Sequence, residues 1–399
     1  MRVLVTGMRA PVALDWARRL RDAGHSVVGA DCLAWPLGRF SNALEAYIRL
    51  PSPAATPRPF AIALADLIQD RQIDVVMPTC EEVFYLATCK QSLPCAVLAD
   101  SLTQLEDFHS KWRLSQWSGQ TPPTHLLREP EDLQPLLENS VDWVFKPVYS
   151  RFATETLIGP SRWRVEQLSV THQRPWVAQR RVVGDEFCTF SLVEQGQITA
   201  HAAYESTYRA GRGAGIYFNP IRCPEATRVV AELAKRRAFT GQLGCDFIRE
   251  HSTGRLWLLE ANPRATSGLH LLPHVNGVVD AALSAAVAAS RDNANTTDAT
   301  LKPLEPPLEP IDDTPWTVGP AMPFWGLISA AQQQRLRQFL ADWRKSRDVI
   351  GRRNDLRPLL ALPLAFAELT GLSWRKGVSP AVASTIDIQW DGEPMELLD

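Results

Sequence analysis

The sequence predicts an α/β plus α+β protein: an N-terminal parallel βαβ sheet, a middle region of antiparallel strands, and a mostly helical C-terminal region. Three observations predict this. Over the first hundred residues, short apolar runs alternate with amphipathic stretches of helical period. After residue 175 the apolar residues alternate singly, and tight-turn residues join the runs. Beyond residue 320, Trp-bearing stretches of helical spacing return.

"RVLVTG" is a short apolar run closed by glycine, as a buried strand requires. "APVALDWARRLRDAG" repeats its apolar residues at helical spacing until Gly24 stops it, and "HSVVGAD" is a second strand. The helix "PFAIALADLIQDRQ", the strand "DVVMPT", the helix "EEVFYLATCKQSL" and the strand "AVLA" repeat the unit. Such repeats predict a parallel sheet covered on both faces.

A glycine turn after the first strand and Asp31 at the end of the second are where a dinucleotide fold holds NAD. The fingerprint fails after Gly7, because Arg9 and Val12 occupy its other glycine positions.

"SLTQLEDFHSKWRLSQW", residues 101 to 117, reads as one helix, broken by Thr-Pro-Pro at 121 to 123. The "EQGQ" turn inside "RPWVAQRRVVGDEFCTFSLVEQGQITAHAAY" predicts an antiparallel pair. A helix at 224 to 240 and two strands in "LGCDFIREHSTGRLWLLEANPR" follow. Residues 291 to 320, with "LKPLEPPLEP", read as an exposed connection. The last region predicts one strong helix, "ISAAQQQRLRQFLADWRKSR", and a mostly apolar helix near 355 to 371.

Composition narrows the function. Lys plus Arg total 42 against 44 Asp plus Glu, so nothing favours nucleic acid or an anionic membrane. Seven scattered cysteines without a CxxC pair suit a reducing compartment. "MRVLVTGMRA" is too short in apolar residues for a signal peptide, and no run approaches a membrane span. The expectation is a cytoplasmic protein acting on small molecules.

The chemistry gathers in "LWLLEANPRATSG". Side chains at i and i+2 on a strand share a side, so Glu260 and Asn262 present two oxygens to one point. Asp246, on the preceding strand, faces them across an antiparallel ladder. Two carboxylates and an amide oxygen suit Mg²⁺, which takes its remaining ligands from waters and substrate phosphates. Lys146, at a strand end in "VFKP", and Lys111 on the preceding helix are candidates to meet those phosphates. Singly, each is an ordinary surface lysine.

Their order carries a resemblance. Lys111, then Lys146 in "FKP", then "VAQRRVVGDEF", "CDFI" and "LLEANPR" resemble the ATP-grasp superfamily, the ligase fold of biotin carboxylase, the carbamoyl phosphate synthetase large chain and D-alanine:D-alanine ligase. The likeness covers residues 1 to 290. It implies a pre-ATP-grasp Rossmann-like domain at 1–105, an ATP-grasp domain of two subdomains at 106–290, and a linker with a helical region at 291–399. It also implies ATP and Mg²⁺ as cofactors. Lys111 and Lys146 would bind the α- and β-phosphates; Gln179, Arg180 and Val182 would line the adenine pocket; Glu186 would hold the ribose. Asp246, Glu260 and Asn262 would bind Mg²⁺, and Arg264 would face the γ-phosphate or the carboxylate receiving it.

One stretch departs from the superfamily pattern. Where relatives have a glycine-rich phosphate loop, this chain reads "PVYSRFATETL", with no glycine until 159. Ser150, Arg151 and Thr154 are the donors available instead, Arg151 as a clamp on the γ-phosphate. "YRAGRGAGIYFNP" is a glycine-rich loop whose Arg209 and Arg212 are placed to meet the carboxylate or acyl phosphate, or else a plain hairpin connection. Glu81 and Glu82 lie at the switch-point crevice, where one contacts the amine substrate or both open a helix.

The resemblance implies a carboxylate-amine ligase with small-molecule carboxylate and amine substrates, forming an acyl phosphate and releasing ADP and phosphate. No protein nucleophile is required, in keeping with the absence of GxSxG and HExxH. The alternatives are a thiol or carbamoyl-type acceptor, an NAD(P)-binding oxidoreductase, and a non-catalytic nucleotide sensor. Pro273 between His270 and His274 argues for packing rather than metal binding, and His109 is expected to be structural. Residues 291–399 are left three roles: a cap on the acceptor site, a homodimer surface, or packing on the core. The acids of "DIQWDGE" read as exposed turn residues.

Overall fold

The computed structural model describes residues 1–151, 155–211, 213–290 and 306–395. Five strands, β1 (Arg2–Thr6), β2 (Ser26–Asp31), β3 (Ala46–Arg49), β4 (Val75–Met77) and β5 (Ala96–Val97), form one parallel sheet in the order β3-β2-β1-β4-β5. The apolar runs explain it: Val3, Leu4, Val5, Val27 and Val28 are buried, as strands covered on both faces must be. The turn after β1 is tight. Gly7 has φ +73°, and a Cβ there would lie 2.5 Å from Thr79 Oγ1, so the β1 and β4 turns pack too closely for any side chain.

Four strands, β6 (Thr124–Leu127), β7 (Trp143–Pro147), β8 (Leu157–Ile158) and β9 (Trp176–Arg180), form a small antiparallel sheet ordered β6-β9-β7-β8. The large sheet follows: β10 (Gly184–Glu194), β11 (Gln197–Ser206), β14 (Tyr217–Ile221), β15 (Gly241–Glu250), β16 (Leu256–Asn262), β17 (Trp316–Thr317) and β18 (Arg347–Asp348), with β12 (Arg209–Ala210) and β13 (Ala214–Gly215) as a separate hairpin. The β10–β11 turn falls at Gln195 and Gly196, both at positive φ, as its sequence predicts.

Two expectations need correction. Residues 101–117 form two helices, Leu102–His109 and Lys111–Trp117, because Ser110 leaves the helical region and its side chain caps Arg113 N. Likewise the helix expected at 328–347 divides into Leu327–Gln332 and Leu336–Lys345, with Gln334 at φ +56° between them. The apolar helix runs Leu362–Lys376, after a short turn at Arg357–Leu360. The connection expected at 291–320 lies outside the described residues as far as 305. Among the described residues, no helix is long and apolar enough to cross a membrane.

Candidate active site

The site is built on the β15–β16 hairpin. Asp246 pairs directly with Glu260 and Gly244 with Asn262, and the register shifts between Asp246 and Phe247, where Leu259 is the extra residue on β16. Plain alternation would put Glu260 on the same side as Leu256 and Leu258, which are core residues. The bulge at Leu259 changes the phase, so that Ala261 takes the core face while Glu260 and Asn262 line a cavity.

The Leu259 carbonyl at this bulge accepts from Lys146 Nζ at 3.2 Å, and Gln179 Oε1 accepts from the same ammonium at 3.1 Å. Burial brings the Lys146 pKa down to about 8, even though Glu260 favours its charge. Lys111 opens the helix that Ser110 caps. Its Nζ lies 3.4 Å from Glu260 Oε2 and donates to the Ser150 carbonyl at 3.2 Å. Two ammonium groups thus converge on one carboxylate.

Burial and the charge of Glu260 raise the Asp246 pKa well above the ordinary carboxylate range. Burial alone would raise Glu260 too, but Lys111 and Lys146 outweigh it and hold Glu260 ionised. About 27 % of the Glu260 side chain is exposed, yet it opens into the cavity rather than bulk solvent, so it behaves as a buried group. Two carboxylates pressed together in this way share a proton, or else a divalent cation relieves their repulsion. No group of three His, Cys, Asp or Glu suited to a metal occurs among the described residues. The donor set here is two carboxylates and the Asn262 amide, which fits an oxygen-seeking ion completing its shell with phosphate oxygens and water.

One cavity of about 920 Å³ is lined by Lys146, Ser150, Arg151, Gln179, Arg180, Val182, Glu186, Asp246, Glu260, Asn262 and Arg264. Arg264 has long contacts only: 3.3 Å to Asn262 Oδ1, 3.3 Å to the Ala265 carbonyl and 3.9 Å to Glu81 Oε1. Its fork keeps donors for an incoming anion. Glu186 accepts from Arg209 Nη2 at 2.9 Å, and Arg209 belongs to the β12–β13 hairpin. Arg212 and Thr154 lie outside the described residues.

Arg151 is placed differently from the sequence expectation of a γ-phosphate clamp. Its guanidinium is committed to Glu81 at 2.6 Å, to Asp391 Oδ1 at 2.6 Å and to the Trp390 carbonyl at 2.7 Å. Asp387 and Asp391 are likewise not free turn acids: Asp387 lies 2.5 Å from Arg9, and Asp391 holds Arg151. Glu82 is a structural acceptor for Thr6 Oγ1 and for the Thr79 and Cys80 amides. His270 and His274 both turn to Asp15, at 3.1 and 3.6 Å, and His109 packs against Phe84, Tyr149 and Trp390.

Sequence reasoning missed Arg9 and the C-terminal residues Leu369, Ser384, Thr385 and Ile388, which also line the cavity. Asp31, the residue a dinucleotide fold aims at a ribose, is 5 % exposed and paired with Arg9. Its carboxylate therefore faces Arg9 in this structure rather than an open ribose site.

No protein-family model matches the sequence, and no curated protein matches it significantly. Solved structures do. The L-amino acid ligase from Bacillus licheniformis is 16% identical, with TM-score 0.55 and coverage of 72% of this chain and 73% of that one. Phosphoribosylamine–glycine ligase from Thermotoga maritima is 15% identical, with TM-score 0.54 over 77% and 78%. The biotin carboxylase domain of the Hydrogenobacter thermophilus 2-oxoglutarate carboxylase, in complex with MgADP, ADP and bicarbonate, is 14% identical, with TM-score 0.57 over 73% and 70%. The chain has the ATP-grasp fold.

Proposed function

We propose that the protein is an ATP-dependent ligase joining a small-molecule carboxylate to an amine through an acyl phosphate. The observation that carries this is the convergence of Lys146, Asp246, Glu260, Asn262 and Arg264 on one cavity, with Lys111 behind Glu260 at 3.4 Å, in the chain order of the ATP-grasp motifs. Similar folds whose names describe ligases and MgADP complexes support it. On this reading residues 1–105 form the leading domain, 106–290 hold the nucleotide and metal, and 291–399 complete the chamber.

Lys111 and Lys146 meet the α- and β-phosphates, and their paired charges offset the triphosphate. Gln179, Arg180 and Val182 border the adenine and Glu186 the ribose. Mg²⁺, held by Asp246, Glu260 and Asn262, would neutralise phosphate charge. Arg264 orients the γ-phosphoryl group and the substrate carboxylate. A carboxylate oxygen bonds to the γ-phosphorus as the bond to the β-bridging oxygen breaks, giving acyl phosphate and ADP. The amine then bonds to the acyl carbon, inorganic phosphate leaves with the C–O pair of electrons, and the ammonium proton passes to solvent.

The test is release of ADP and phosphate from Mg²⁺ and ATP across a matrix of carboxylic acids and amines, with mass spectrometry of each positive mixture. ADP with a condensed product is expected. AMP with pyrophosphate, or bound ATP with no turnover anywhere in the matrix, overturns the reading.

A further inference from the structure

Residues 384–391 cross the carboxyl-end edge of the parallel sheet and are fastened there from several directions. Arg9 Nη1 donates to the Ser384 carbonyl at 2.9 Å and pairs with Asp387 at 2.5 Å. Ser52 Oγ donates to the Asp387 carbonyl at 2.7 Å and Tyr85 OH to the Gln389 carbonyl at 2.8 Å. Arg151 holds the Trp390 carbonyl, and the Trp390 ring, 2 % exposed, packs on Phe84 and Tyr149. In the helix Leu362–Lys376, Glu368 accepts the Ala34 and Trp35 amides, both at 2.7 Å. A segment held by donors from residue 9 to residue 151 is a fixed wall.

In open parallel sheets this crevice is where ligands enter. Here the wall fills the part beside Gly7 and Asp31, and the cavity lies on its other side. The charges at this end are already matched: Arg9 with Asp31 and Asp387, Glu81 with Arg151, Asp15 with Arg19 and Arg352. The side chains that line the cavity here include the apolar Val12, Val318, Leu369 and Ile388. A charged tail would lose its hydration against them, and Arg264, which keeps donors for an anion, is assigned on this reading to the γ-phosphoryl group and the first substrate's carboxylate.

We infer that Ile388 of the wall, together with Leu369 of the helix Leu362–Lys376, selects the second substrate, admitting an amino acid or amine with an apolar side chain of limited size. The inference rests on the ligase reading of the nucleotide site and goes beyond it in naming the acceptor class. Leu369 is the residue to vary, being half-buried and remote in sequence from every nucleotide-binding position.

Wild type, Leu369→Ala and Leu369→Trp are compared with Mg²⁺, ATP, one fixed carboxylate and a panel of free amino acids running from glycine and alanine to leucine and phenylalanine, with aspartate and lysine as charged members. Leu369→Ala should raise kcat/KM for the larger apolar members by about tenfold, and Leu369→Trp should lower it by a similar factor, with KM for ATP unchanged. The same side-chain order in all three proteins, or preference for a charged member, overturns the inference.

A parallel measurement separates the two readings. The panel is added to each protein with ADP and Mg²⁺, and the thermal midpoint is followed. A rise with apolar members that is lost in Leu369→Trp supports the wall even where no ADP is released, in which case the ligase reading alone fails. No rise with any apolar member overturns the wall and leaves the turnover test standing.

Discussion

Asp246 and Glu260 stand opposite each other in the β15–β16 ladder, next to a bulge that turns Glu260 out of the core and into the cavity. Burial and the neighbouring Glu260 charge push the Asp246 pKa up, while Lys111 and Lys146 hold that of Glu260 down. Glu260→Gln removes the charge facing Lys111 at 3.4 Å. Mg²⁺-dependent ADP release should fall by at least about 100-fold, with the circular dichroism spectrum unchanged. Full activity in this variant would remove the metal assignment.

Lys146→Ala should weaken ATP binding at least about tenfold in calorimetry, the loss expected for one charge-assisted contact. The pH dependence has a definite sign. Lys146 is charged below its folded pKa of about 8, so ATP affinity should hold below that value and fall as pH rises through it. Lys146→Arg should flatten the profile. Stability moves the other way: between about 8 and the ordinary lysine value of 10.5 the unfolded chain binds a proton that the folded chain does not, so the burial penalty on Lys146 is relieved as pH rises.

Arg151→Ala leaves Glu81 buried, with Arg264 at 3.9 Å as its nearest remaining cation. Urea unfolding should show a loss of about 3 kcal/mol, the scale for breaking a buried pair. Adding Glu81→Gln should restore part of it. Equal stability of the single and double variants would show that the Glu81 charge left unpaired carries no penalty.

Ser110→Ala removes the cap that starts a helix at Lys111. A loss of about 1 kcal/mol is expected. Because Lys111 sits in that first turn, KM for ATP should rise as well, and a variant that loses stability with unchanged KM would separate the cap from the site.

Arg264→Ala should leave ADP affinity near normal, since its long contacts are to Asn262, Ala265 and Glu81. ADP formation with a productive carboxylate should fall by about 100-fold or more. A matching loss in ADP affinity would move Arg264 into nucleotide binding.

Local pattern made much of this legible. Period-2 spacing in "LLEANPR" and a short turn to "CDFI" were enough to bring Asp246, Glu260 and Asn262 together, although the bulge that selects their face has no sequence mark. The βα alternation predicted the parallel sheet. The engagement of Arg151 has no local sequence mark, because its partners, Glu81 and Asp391, are 70 and 240 residues away and no local rule reaches that far. The same distance hid the roles of Asp387 and Leu369. The helix breaks at Ser110 and Gln334 were hidden because apolar spacing continues through both, while a side-chain cap and a left-handed residue decide them.

The wall at 384–391 also orders events in time. Residues 9, 52, 81 and 85, which anchor it, leave the ribosome between 304 and 375 residues before the positions they hold. At synthesis rates of about 5–20 residues per second, the parallel sheet and the β10–β16 layer have many seconds to form before Trp390 arrives between Phe84 and Tyr149. The chamber is therefore completed last, and a nascent chain carries an open crevice with Glu81 unsealed until then. Trp390 moves from water to a ring cluster in that final step, so the difference in emission between wild type and Trp390→Phe should report chamber closure separately from the folding of the sheets.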